Sequence, residues 1–115
     1  MTKQTKGKYG EDLAVAFLLN NGFAVAETNF RCRLGEIDII SRKNGYLIFT
    51  EVKYRQNLNF GLPREAVTKN KQRHIRRVAL YYLQIKNLGE TDMRFDVIEI
   101  IDSGEPAIEL IENAF

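Results

Sequence analysis

Asn44-Gly45 stands between two runs rich in strand-forming residues, 35–41 and 46–53. Asn and Gly both accept the positive φ that a two-residue type I′ turn demands, and the twist of that turn suits paired strands, so the dipeptide predicts an antiparallel hairpin. A two-residue turn pairs Lys43 with Tyr46, sets Asp38 opposite Glu51 and places Glu36 opposite Lys53. Opposed residues project to one face with Cβ atoms ~4.5–5.5 Å apart. Lys53 lies two residues beyond Glu51 and shares its face, roughly 6.6 Å along the strand. One side of the hairpin is therefore expected to carry Glu36, Asp38, Glu51 and Lys53, continued toward the turn by Ile40, Leu47 and Phe49. A three-residue turn would slip the register and disperse this set.

Around the hairpin, a helix is predicted from about residue 10 to 20, with Leu13, Ala14, Phe17 and Leu18 on one stripe and a stop at Asn21-Gly22. Residues 23–26 read as a short strand. A polar loop at 55–63 leads into a long helix from about 64 to 86, closed by Leu88-Gly89. Residues 94–101 and 107–111 read as strands, the last at a sheet edge after the Ser103-Gly104 turn. Helix, three strands, helix, two strands predicts a small α/β sandwich with mixed strand directions.

With 115 residues the chain is expected to form one domain. Its 44% hydrophobic and 28% charged content excludes disorder, collagen and coiled coil. The longest apolar run, 14–19, falls far short of the ~20 residues of a membrane span. Lys3, Lys6 and Lys8 precede it as in an export signal, but Glu11 and Asp12 interrupt the transition and Asn20-Asn21-Gly22 breaks the run. The expectation is a cytoplasmic protein without a membrane partner. A single cysteine, Cys32, and a single histidine, His74, leave no internal disulfide, no zinc site and little basis for Ser-His-Asp or Cys-His catalysis. Charge is uneven: residues 1–89 hold 16 Lys/Arg against 7 Asp/Glu, and residues 90–115 hold 1 against 8. That asymmetry suits a polyanion on one face and turns the other away from it.

Carboxylates set directly opposite in a sheet repel, and the arrangement asks for a cation between them. Hard oxygen donors at this spacing suit Mg²⁺ or Mn²⁺, which keep several waters and also accept substrate phosphate oxygens. Such an ion orients and acidifies water for in-line attack on a phosphodiester, and Lys53 would hold that water or the phosphate oxygens. The same residues also read as a solvated polar strand face in which Lys53 neutralises Glu36.

Asp38, a gap of 12 residues, then Glu51-Val52-Lys53 resembles the PD-(D/E)XK nuclease signature, with Ile37 where the signature has proline. The fuller pattern resembles the YraN-type family of small bacterial proteins. It comprises Gly7-x-x-Gly10-Glu11, Asn29-Phe30-Arg31, 35–40, 51–53, Ala66-Val67 with Lys71, and 95–98. That family is in turn similar to archaeal Holliday-junction resolvases. The resemblance implies a restriction-endonuclease-like three-layer α/β/α sandwich with a mixed central sheet, and Mg²⁺-dependent hydrolysis of DNA. It makes Asp38 and Glu51 metal ligands, Lys53 the catalytic lysine, and Glu11 a first-helix acid completing the metal site. Locally, Glu11 is also explained by the helix dipole, worth ~0.3–1 kcal/mol.

The long helix adds its own signal. Val67, Ile75, Val78, Ala79 and Tyr82 form one face, with Lys69, Arg73, Arg76 and Arg77 opposite. Lys71 falls inside the apolar arc, where it either snorkels to the edge or reaches the acidic hairpin and supports the site or binds phosphate. Arg31 and Arg33 are further candidate phosphate contacts. His74 reads as a boundary residue, Asp96 as a structural acid paired with an arginine, and 60–61 as a loop near the substrate. The reading is a Mg²⁺-dependent endonuclease for structured DNA, as a monomer or as a two-fold dimer matching a symmetric junction. Its rivals are a non-catalytic nucleic-acid-binding module and a protein-interaction module using the acidic C-terminal strands.

Overall fold

The computed structural model describes residues 3–56 and 67–115, with side chains from residue 7 onward. The elements are α1 (Lys3–Asn20), β1 (Ala24–Cys32), β2 (Gly35–Lys43), β3 (Tyr46–Arg55), α2 (Lys69–Ile85), β4 (Met93–Asp102) and β5 (Pro106–Ile111). One sheet runs in chain order, β1-β2-β3-β4-β5; only β3 and β4 are parallel. A parallel neighbour needs a long crossover, and α2 lies on it. The expected mixed α/β sandwich is the architecture observed, consistent with a restriction-endonuclease-like fold.

Each helix covers one sheet face. Ile40, Leu47, Phe49 and Phe95 pack with Ile75, Val78, Ala79 and Tyr82 of α2. Ile39, Ile48, Ile98 and Ile100 pack with Ala14, Leu18 and Phe23 on the α1 side. Strict alternation fails in β2: Ile37 and Ile40 join the α2 cluster while Ile39 faces α1. The irregular point between them is Asp38.

The hairpin register follows the turn chemistry. Asn44 and Gly45 adopt φ of 53° and 84°, and Lys43 pairs with Tyr46. Three boundaries differ from the sequence expectation. α1 begins earlier, at Lys3, because its first residues carry no apolar stripe to reveal it. β1 runs to Cys32 and meets β2 through a second two-residue turn, Arg33-Leu34; the strand is polar and half-exposed, so its later part lacks a buried-strand signature. α2 begins at Lys69, not near residue 64, because Thr68 is its N-cap: its backbone is extended, and its hydroxyl accepts the Lys71 N–H. Residues 64–66 and the 60–61 loop lie outside the described residues.

Candidate active site

The β2–β3 ladder stops at Ile39 and Thr50, although β1 keeps pairing with β2 to Gly35 and β4 keeps pairing with β3 to Arg55. The sheet therefore forks, and Asp38 and Glu51 sit at the branch point. Past the last β2–β3 pair, the Val52 N–H turns to a side chain: it donates to Asp38 Oδ2 at 2.8 Å. The hydrogen bond that the backbone no longer supplies is thus replaced by the carboxylate, which anchors Asp38 at the fork. Burial, followed by the charge of Glu51, pushes the Asp38 carboxyl up to about 7 despite that hydrogen bond.

Glu51 and Lys53 continue the α2-facing side of β3 beyond Phe49. Glu51 is 8% exposed, and its Oε1 receives two ammonium groups, Lys71 Nζ at 2.6 Å and Lys53 Nζ at 3.4 Å. The Thr68 cap starts α2 so that Lys71 falls in its first turn, on the inward arc with Ile75 and Val78. Lys71 thus reaches the acidic hairpin, the second of the two roles open from its position. Burial and the neighbouring Lys71 lower the Lys53 pKa, against the pull of Glu51. Burial also opposes the Lys71 charge, but hydrogen bonds to Glu51 and Lys53 outweigh it and raise that pKa.

Glu11 approaches from α1. A Cβ on Gly10 would lie 2.7 Å from the Tyr54 Cβ, so only glycine lets α1 come this close to β3. Asn29, at φ 50° in β1, donates to Glu11 Oε1 at 2.7 Å. Burial raises the Glu11 pKa, and Glu11 in turn adds to the upward push on Asp38. Even so, among the described residues no three Asp, Glu, His or Cys side chains gather as a ready-made metal cage. The donors present are two interacting carboxylates, with Glu11 near enough for its charge to act on Asp38. That set fits Mg²⁺ or Mn²⁺, which are held by one or two carboxylates with water and phosphate filling the remaining positions.

Glu36 does not belong to this group. It sits across from Arg31 in the β1–β2 ladder and pairs with it at 3.0 Å, because β2 has left β3 by that point. Lys53 therefore does not neutralise Glu36. Of the other basic candidates, Lys69, Arg73 and Arg77 are exposed along α2, and Arg33 is exposed in the β1–β2 turn, lining one depression with Tyr81 of α2. Arg76 is exposed too but lies over the rings of Phe95 and Phe115, at 4.9 and 5.8 Å from their centroids. His74 is exposed. Asp96 is fully buried, takes two nitrogens of Arg94 and accepts the Asn113 N–H, so it is a structural acid. Glu99 is also buried, which removes two acids from any C-terminal interaction face.

Sequence reasoning overlooked Asn29 as the residue that orients Glu11; its place in the Asn29-Phe30-Arg31 motif was the available signal. It also missed Thr68. The signal there is weak, because no acid follows at the capping-box position.

Among the described residues no helix is long and apolar enough to cross a membrane. A family model described as "Uncharacterised protein family UPF0102" matches residues 10–100. Over its whole length the chain is 47% identical to the UPF0102 protein of Lachnoclostridium phytofermentans, covering 96% of that protein. It is 44% identical to the UPF0102 protein of Caldicellulosiruptor saccharolyticus, with both chains covered completely. Similarity to a UPF0102 protein of Clostridium perfringens is 49% identity over 95% of this chain and 92% of that one. A model match across most of the chain and relatives aligned along nearly their full length establish that this chain belongs to the UPF0102 family, the YraN-type family that its motifs resemble.

Proposed function

We propose that the chain is a Mg²⁺- or Mn²⁺-dependent DNA endonuclease of the PD-(D/E)XK type, with branched or otherwise structured DNA as its substrate class. The observation that carries this reading is the fork itself: two carboxylates in a half-dry corner, one pushed up to about 7, with two lysines on the second. A divalent ion at this place supplies an acidified water and a counter-charge for the phosphodiester. Asp38 and Glu51 would hold it, with Glu11 adding negative charge nearby. Val52 keeps Asp38 pointed at the fork through its N–H. Lys53, fixed on β3 and with a lowered pKa, orients the attacking water or neutralises charge developing on the phosphoryl oxygens. Lys69, Arg73, Arg77 and Arg33 would grip the DNA backbone.

The test is a cleavage panel of duplex, nicked, flapped and four-way-junction DNA in Mg²⁺ and Mn²⁺. The parent is expected to cut at least one substrate. Asp38→Asn and Lys53→Ala should each keep DNA binding and lose cleavage by ~10²-fold or more. Unimpaired cleavage by either variant refutes the assignment. A second reading, a binding module without turnover, is favoured by one observation: Glu51 already has two ammonium partners. A parent that binds junction DNA and cuts nothing in either metal would establish that alternative.

A further inference from the structure

Lys53 and Lys71 meet the same oxygen of Glu51 from different surroundings. Lys53 projects from β3 itself, and its side chain is 15% exposed; Lys71 comes from the first turn of α2 and is 41% exposed. An amine so little exposed has no easy exit. A half-exposed lysine on a flexible stem exchanges its carboxylate for water with little desolvation to undo. The shorter contact, 2.6 Å against 3.4 Å, is nevertheless the one made by Lys71. Charge then limits what can coexist. Both ammonium groups stand at Glu51 Oε1, so a divalent cation taking that oxygen would face two positive charges within a few ångströms. Like charges at such distances disfavour one another strongly.

We infer that Lys71 is an exchangeable stand-in for the metal: its ammonium holds Glu51 Oε1 until a divalent cation takes that oxygen, and the freed ammonium is then placed for a DNA phosphate oxygen. This inference rests on the metal-site reading above and adds the group that must move. Lys71 is thereby a positioning residue toward the metal and a phosphate contact toward the DNA, while Lys53 stays in place on the strand. Metal and phosphate binding become coupled through one side chain. The released positive charge partly offsets the phosphate's negative charge, so each ligand favours the other.

The experiment measures Mn²⁺ affinity directly, by calorimetry and by electron paramagnetic resonance of free Mn²⁺, on the full chain without DNA. Lys71→Met should bind Mn²⁺ more tightly than the parent by about fivefold or more, because the competing ammonium is gone. Lys71→Arg keeps the charge and should stay near the parent. Lys71→Gln repeats the neutral substitution and should show the same tightening if methionine disturbs α2. Parent and Lys71→Met binding Mn²⁺ equally, or the variant binding more weakly, overturns the exchange while leaving the metal site standing. No Mn²⁺ binding by any of these proteins overturns both the exchange and the metal-site reading.

Discussion

An aspartate whose neighbour is another acid in a half-buried corner does not stabilise the fold at neutral pH, and Asp38 has the sign of such a group. Its pKa is raised from 3.8 to about 7, by burial first and Glu51 second. A raised carboxyl contributes stability below its unfolded pKa and loses it as pH rises through its folded pKa, so this contribution fades between about pH 4 and 7. Asp38→Asn keeps an oxygen to accept the Val52 N–H but cannot ionise. In chelator, thermal melts should therefore show a flatter pH dependence for Asp38→Asn across that window, and a higher Tm than the parent at pH 8. A variant that tracks the parent's slope would show that Asp38 does not carry this charge penalty. The same substitution is expected to raise stability and to remove cleavage.

At the scale of elements, the site depends on how closely α1 and α2 are drawn to the sheet. Gly10→Ala puts a Cβ 2.7 Å from the Tyr54 Cβ, and α1 must back away. Overpacking of this kind costs ~1–3 kcal/mol, against which the helix gains up to ~1 kcal/mol from alanine. Urea denaturation should show a net loss, and the displaced Glu11 should slip from Asn29. Unchanged or increased stability would mean that α1 adjusts freely. These element positions were unequally legible in the chain. The hairpin register was readable because Asn44-Gly45 dictates a turn whose geometry sets the pairs from Lys43–Tyr46 to Ile39–Thr50. Lys71 was readable as inward because helical periodicity places it among apolar residues. The fork was not readable: a ladder that stops at Ile39 leaves no mark on composition, so Glu36 was carried on to Lys53 when it had turned to Arg31. The N-terminal turns of α1 and the later half of β1 escaped for a related reason, since polar half-exposed residues carry no period.

For the whole molecule, the exposed basic charge of α2 is what bears on DNA binding. The basic stripe Lys69, Arg73 and Arg77 lies along α2, on the side of the sheet that Glu51 and Lys53 face, while Asp96 and Glu99 are buried in β4. DNA affinity is expected to fall steeply with salt. Replacing Lys69, Arg73 and Arg77 together by glutamine should weaken binding. The log–log salt slope should drop by up to ~0.9 for every duplex phosphate that the variant no longer neutralises. Replacing Arg76, which rests on Phe95 and Phe115, should chiefly lower stability. A salt slope identical in the triple variant and the parent would move the DNA to another surface.

The fork at Asp38 and Glu51 also divides the way the sheet is braced. Beyond Thr50, β3 keeps a strand ladder with β4, and before Ile39, β2 keeps one with β1; the Val52–Asp38 hydrogen bond joins the two at the branch. The two arms work like the blades of open tongs joined at a rigid pivot. Asp38 and Glu51, seated at the pivot, would keep their spacing if the two arms bent apart.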